Sequence, residues 1–157
     1  MISFHTGVRI NRPLAEVFAY VSDPSNFPDW NSAVQAMHLT SQGSNAEGSS
    51  YVMERQLPSG RATNELEIVT RREPEEFAIR TTAGPTTFAY RYRFAAENGE
   101  TVIHLEAELE LTGIGAVMPG LAGRAVKRGV DENLATLKRT LEARTSYTDQ
   151  QAARALA

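Results

Sequence analysis

Few side chains in this sequence stand where chemistry would need them, and the sharpest of them is Arg55. In a strand read over Tyr51–Leu57, alternation puts Arg55 on one face with Tyr51 and Met53. The following strand adds Asn64, Leu66 and Ile68 to that face. A guanidinium on an otherwise apolar face needs an anionic or carbonyl partner. Two readings stay open: Arg55 anchors a ligand carboxylate or enolate, or its stem crosses apolar surface and its head reaches water at a cavity rim. Tyr90, Tyr92, Asn64 and Asn133 also fall on inward faces. They could orient a carbonyl or supply a proton, although inward tyrosines serve equally well as core residues whose hydroxyl is tied to backbone.

Other chemistries find little support. The chain has no cysteine, so disulfides and thiolate metal sites are excluded, and the spacing of His5, His38 and His104 matches no metal pattern. No metal and no cofactor is expected. Glu65, Glu67, Glu106, Glu108 and Glu110 recur at period two, the mark of a solvated sheet face and not of a carboxylate pair for acid–base work. Gly113-Ile-Gly115 resembles a piece of a dinucleotide fingerprint but lacks the third glycine and the parallel unit around it. There is no nucleophile elbow and no phosphate-cradling loop. Arg124, Lys127 and Arg128 alternate with Asp131 and Glu132, which reads as helix surface pairing and not as a phosphate site. With a net charge of −3 and 22% charged residues, a nucleic-acid partner is not expected. No apolar run approaches the ~20 residues that span a bilayer, so membrane insertion is not expected and a cytoplasmic location is.

The elements that must position Arg55 and its neighbours are legible from periodicity. The 157 residues suit one domain with a real core. Ser3–Asn11 reads as a strand with Gly7 as a bulge or close approach, followed by a short helix opening at Pro13 and a second near Phe27-Pro28-Asp29-Trp30. Trp30 and Phe27 either plug the space beneath these helices or touch a ligand. Strands follow at 33–40, 51–57, 61–71, 77–82 and 87–95, with the polar stretch 41–50 as a mobile loop. Asn98-Gly99 is a type I′ turn pair that sets a hairpin register. Phe94 then opposes Ile103, Tyr92 Leu105, Tyr90 Ala107 and Phe88 Leu109, while Arg93 and Arg91 oppose His104 and Glu106 on the other face. Last comes a helix over Met118–Arg144, ~40 Å long at 1.5 Å per residue. Its apolar stripe is Ala122, Val126, Val130, Leu134, Leu137 and Leu141, interrupted by Gly129 and Asn133. The tail 145–157 has helix propensity and almost no oily stripe. It either extends the long helix or is ordered by a second chain, which leaves a homodimer open.

Aromatics facing small residues across an apolar interior, with polar atoms among them, suggest a pocket between sheet and helix. The segment Val8-Arg9-Ile10-Asn11-Arg12-Pro13-Leu14-Ala15-Glu16-Val17-Phe18-Ala19-Tyr20-Val21-Ser22-Asp23-Pro24, with Phe27-Pro28-Asp29-Trp30-Asn31, resembles the entry of the SRPBCC superfamily, the START-like group of polyketide cyclase/dehydrase and lipid-transport proteins. By element order the resemblance runs from about Ser3 to Arg144. It implies an α+β helix-grip fold: a curved antiparallel sheet of about seven strands wrapped around the C-terminal helix, with two short helices after the first strand and a deep hydrophobic cavity. The expected domain is 1–144. The expected ligand-binding set is Trp30, Tyr51, Met53, Arg55, Asn64, Leu66, Phe88, Tyr90, Tyr92, Val126, Val130 and Asn133. The leading expectation is binding or transport of a lipid, polyketide or aromatic molecule. A cyclase/dehydrase-type lyase using the same cavity and a protein-interaction module are the alternatives. The lack of an acid–base pair favours binding over catalysis.

Overall fold

The computed structural model describes residues 1–43, 45–57, 59–110 and 119–156, with side chains in the last helix described for 120–144 and 154–156. Pro58, the Gly113-Ile-Gly115 fragment and Met118 lie outside these residues. The chain runs β1 (Ile2–Ile10), α1 (Leu14–Val21), a 3₁₀ turn (Pro24–Asn26), α2 (Phe27–Trp30), β2 (Val34–Leu39), β3 (Ser50–Leu57), β4 (Gly60–Arg72), β5 (Glu76–Ala83), β6 (Thr87–Glu97), β7 (Glu100–Glu110) and α3 (Pro119–Ala155). The strands form one antiparallel sheet in the order β1-β7-β6-β5-β4-β3-β2, a meander whose far edge is completed by the first strand.

The β6–β7 hairpin has the register expected from its turn: Glu97 opposes Glu100, and every aromatic of β6 faces an apolar residue of β7. Asn98 and Gly99 both take the left-handed φ that a type I′ turn requires. Tyr51 pairs with Leu66 and Met53 with Asn64, so these residues share the inner face with Arg55 as expected. Gly7 proves to be a close approach: a Cβ there would lie 2.5 Å from the Ile103 carbonyl oxygen.

Strict alternation fails in β4. A bulge between Ile68 and Thr70 leaves Val69 exposed and places Arg71 opposite Phe77, so that Arg71 joins the inner face. On the outer face the charges pair across strands. Arg93 bonds Glu106, Arg80 bonds Glu67 at 2.6 Å, and the buried Glu76 carboxylate accepts from both Arg72 and Arg91.

The core lies between the inner face, α1, α2 and α3, where Phe18, Phe77, Ile103, Leu105, Leu137 and Leu141 are sealed from solvent. α3 is longer than its apolar stripe predicts. It continues past Arg144 to Ala155, so its 37 residues span ~55 Å. It lies along β1 and against α2. Its stripe is buried unevenly: Leu134, Leu137 and Leu141 are buried, whereas Ala122, Val126 and Val130 are only half-buried. Polar clips hold the helix to β1. Asp131 accepts from Thr6 and, at 2.8 Å, from Lys127. Glu142 accepts from Lys138 at 2.6 Å and from the Asn11 backbone N–H at 3.0 Å, and Lys138 also donates to the Arg9 carbonyl.

Leu137→Ala should destabilise the fold by about 3 kcal/mol, against about 1 kcal/mol for Val126→Ala, because only the first empties a sealed site; urea unfolding of both variants measures the difference. The clips also make docking of α3 sensitive to acid. Bonds from Lys138 and Asn11 hold the Glu142 carboxyl below its ordinary range. Burial pushes Asp131 up, but the bonds from Lys127 and Thr6 outweigh it and hold it low as well. A lowered carboxyl stabilises the folded state above its unfolded pKa, ~4, and that contribution is lost as pH falls through the folded value. Thermal melting between pH 6 and pH 3 should therefore show a steeper fall for the parent than for Glu142→Gln.

Candidate functional site

The candidate site lies on the concave face where β3, β4 and β6 turn toward one another. In a flat sheet, β3 and β6 would be ~14 Å apart, with β4 and β5 between them. Curvature brings the Arg55 guanidinium of β3 to 5.9 Å from the centre of the Phe88 ring on β6. Phe88 stacks on Tyr90 at 4.8 Å, and Tyr90 meets Tyr92 edge-on at 6.5 Å. Tyr92 in turn stacks on Phe77 at 6.1 Å. The result is a continuous aromatic wall beside one cation.

Asn64 fixes the corner of this wall. Its Nδ2 donates to the carbonyls of Ala83, at 3.2 Å, and Thr86, at 2.9 Å, fastening the β5–β6 connection over β4. Gly84 permits the fit: its φ is +114°, and a Cβ would stand 2.4 Å from Asn64 Nδ2 and 2.6 Å from the Thr63 carbonyl. Asn64 Oδ1 is buried and has no partner. Arg55 Nε and Nη1 and Trp30 Nε1 are likewise buried without one. Burial lowers the Arg55 pKa, and nearby Tyr90 partly offsets the shift. Burial pushes the Tyr90 phenol up to about 12 despite the opposing influence of Arg55. Tyr92 is raised by burial too, with a further push from Tyr90. Both phenols are therefore neutral donors at physiological pH.

The other expected site residues divide. Met53 and Leu66 are buried in the same inner layer. Trp30 is buried edge-on to Phe27 at 5.5 Å, the geometry of a plug beneath α1 and α2. The Tyr51 hydroxyl is committed elsewhere: it donates to Asn45 Oδ1 at 2.7 Å and accepts from the Asn45 N–H at 3.1 Å. That pair pins the 41–50 stretch, read from sequence as mobile. The stretch is tied down further where Glu47 accepts from the Arg71 N–H and Gly48 donates to the Ile68 carbonyl. Asn133 is also committed. Its Oδ1 accepts from the Ser32 N–H and hydroxyl at 3.2 Å each, and its Nδ2 donates to Asn31 at 3.1 Å, fastening α3 to the end of α2.

Val126 and Val130 face the core from the half-buried part of α3. Near that end a hollow of about 400 Å³ opens between the start of β1 and the start of α3, with Ile2, Phe4, Gly120, Gly123, Arg124 and Lys127 on its walls. A hollow of about 100 Å³ adjoins Arg55, and one of about 250 Å³ lies between Tyr51 and Asp23. Two more, about 210 and 170 Å³, reach the outer face around Arg80, Ala89 and Glu108.

Sequence reasoning missed Arg71. The β4 bulge sets its guanidinium 5.3 Å over the Phe18 ring, with Nη2 donating to Ser22 at 3.4 Å and Nη1 near Glu73. Nothing in Val69-Thr70-Arg71 announces that bulge. Among the described residues no cluster of His, Asp and Glu could hold a metal, and no helix is long and apolar enough to cross a membrane.

A family model described as polyketide cyclase / dehydrase and lipid transport matches residues 1–142, and the chain belongs to that family. Solved structures repeat its fold. TTHA0849 from Thermus thermophilus superposes with a TM-score of 0.77 at 14% identity, over 90% of this chain and 97% of that one. A START superfamily protein from Mycobacterium smegmatis gives 0.69 at 15% identity, over 94% and 99% of the two chains. The di-domain ARO/CYC StfQ from the steffimycin biosynthetic pathway gives 0.72 at 12% identity, over 92% of this chain and 52% of that one. No functionally curated protein matches the sequence. The fold is thus the START-like helix grip, and likenesses at these identities establish the fold alone.

Gly84→Ala should lower stability by about 2 kcal/mol or more, because the new Cβ meets backbone at a left-handed φ. Denaturant unfolding of the variant beside the parent checks it.

Proposed function

We propose that this protein binds a hydrophobic small molecule, of lipid, polyketide or aromatic character, between the concave face of the sheet and the first half of α3. The observation that carries this reading is the uneven burial of one apolar stripe. Leu134, Leu137 and Leu141 are buried, while Val126 and Val130 stay only partly covered at the margin of the same core, as Tyr90 does. Apolar surface left half-covered inside a fold gains free energy when a ligand covers it, ~25 cal/mol per Å². A hollow between the start of β1 and the first turns of α3 lies next to that half-covered stretch of the helix. Family membership supports the same reading, because the family description joins cyclase/dehydrase and lipid-transport members.

Binding or carriage is favoured over catalysis. The aromatic wall holds neutral phenols and one cation, and no carboxylate stands within ion-pair distance of that cation among the described residues. A cyclase/dehydrase-type reaction in the same space would rely on shape and on Tyr90 as a proton donor.

Native mass spectrometry of the purified full chain should show a mass excess that organic extraction removes. After extraction the protein should bind the neutral fluorophore N-phenyl-1-naphthylamine, and Val130→Trp should weaken that binding at least tenfold by filling the space. Unchanged affinity in a folded Val130→Trp protein refutes the location.

A further inference from the structure

Resting on that reading, we propose that the natural ligand is an apolar monoanion, a carboxylic acid, and that Arg55 supplies its counter-charge with the Tyr90 hydroxyl as a second donor. The inference begins with a contrast among arginines. Arg12, Arg71 and Arg91 are at least partly buried, and each has a carboxylate: Glu16, Glu73 and Glu76 respectively. Arg55 sits on the concave face with Nε and Nη1 buried and unpartnered, and no acid pairs with it among the described residues. Its guanidinium stands 5.9 Å from the centre of the Phe88 ring. A cation–π contact replaces only part of the lost hydration.

A guanidinium does not shed its proton at any physiological pH, so the site keeps a half-buried positive charge with two buried, free donors. Such a charge is costly unless an anion joins it. A ligand carboxylate would supply the missing charge and accept the free N–H groups. The remainder of the ligand would lie against Phe88, Tyr90 and Met53, an apolar and flat surface suited to an aromatic or acyl body. One cation and a neutral phenol match a single negative charge, which disfavours a phosphate dianion.

The test measures binding of 2-naphthoic acid, methyl 2-naphthoate and 2-naphthyl phosphate to the extracted full chain at pH 7 by equilibrium dialysis. The acid should bind at least tenfold more tightly than its ester, the increment expected of charge-assisted hydrogen bonds at a buried site. Arg55→Met should abolish that preference while leaving ester binding within twofold, and Arg55→Lys should retain part of it. Arg55→Met should also melt no lower than the parent, because it removes an uncompensated charge; an arginine with a structural partner would lose stability. Equal affinity for acid and ester in the parent, or a preference that survives Arg55→Met, overturns the assignment. Tighter binding of the phosphate than of the acid overturns the monoanion class. A protein that takes N-phenyl-1-naphthylamine but does not prefer the acid keeps the apolar space and refutes only the counter-charge. One that takes none of these molecules refutes the binding reading itself.

Discussion

One helix has to cover the concave side of a seven-stranded sheet, and everything else in this molecule answers to that constraint. The sheet offers a broad apolar face built from Phe77, Phe88, Tyr92, Phe94, Ile103 and Leu105. α3 presents a stripe only one residue wide to meet it. Three leucines seal the second half, where α1 and α2 add cover, and Arg144 stacks over the Tyr20 ring of α1 at 5.1 Å. The first half has no such help, and its valines stay partly open. An interior of this shape divides into a packed end that holds the fold together and a looser end whose apolar side chains stay partly uncovered.

The polar groups follow the same division. At the packed end they are spent on fastening: Asn133 to Asn31 and Ser32, Tyr51 to Asn45, Glu142 to Asn11. On the aromatic wall Arg55 and Asn64 keep unpaired atoms. Arg12, Trp30 and Arg71 each leave one buried nitrogen without a partner as well, so what sets Arg55 apart is that two of its nitrogens do so.

How much of this could be read in advance depended on whether the controlling interaction was local. The β6–β7 hairpin was legible to the residue because Asn98-Gly99 sets its turn and its two faces differ completely in polarity. The Tyr51, Met53 and Arg55 face followed from alternation alone. Arg71 escaped because a bulge is a property of two strands and leaves no mark on one. Asn133 lay on the right helix, but its partners are about a hundred residues away, so periodicity could not distinguish a fastening from a ligand contact. The end of α3 stayed open between two readings for a related reason: the apolar stripe stops near Leu141, whereas the helix, held by its own backbone bonds, continues to Ala155.

The pairing of β1 with β7 also orders events in time. β1, made before the other strands of this sheet, lies beside β7, made after them, with Ile2 opposite Leu109 and Ile10 opposite Thr101. Its apolar side chains must wait until nearly the whole meander exists before they find a neighbour on that edge. Contacts so distant in sequence carry a large closure entropy and slow the search for the native state. A nascent chain of this kind exposes Phe4, Val8 and Ile10 until β7 has been made, so its vulnerability to misassembly is greatest before the β6–β7 hairpin forms.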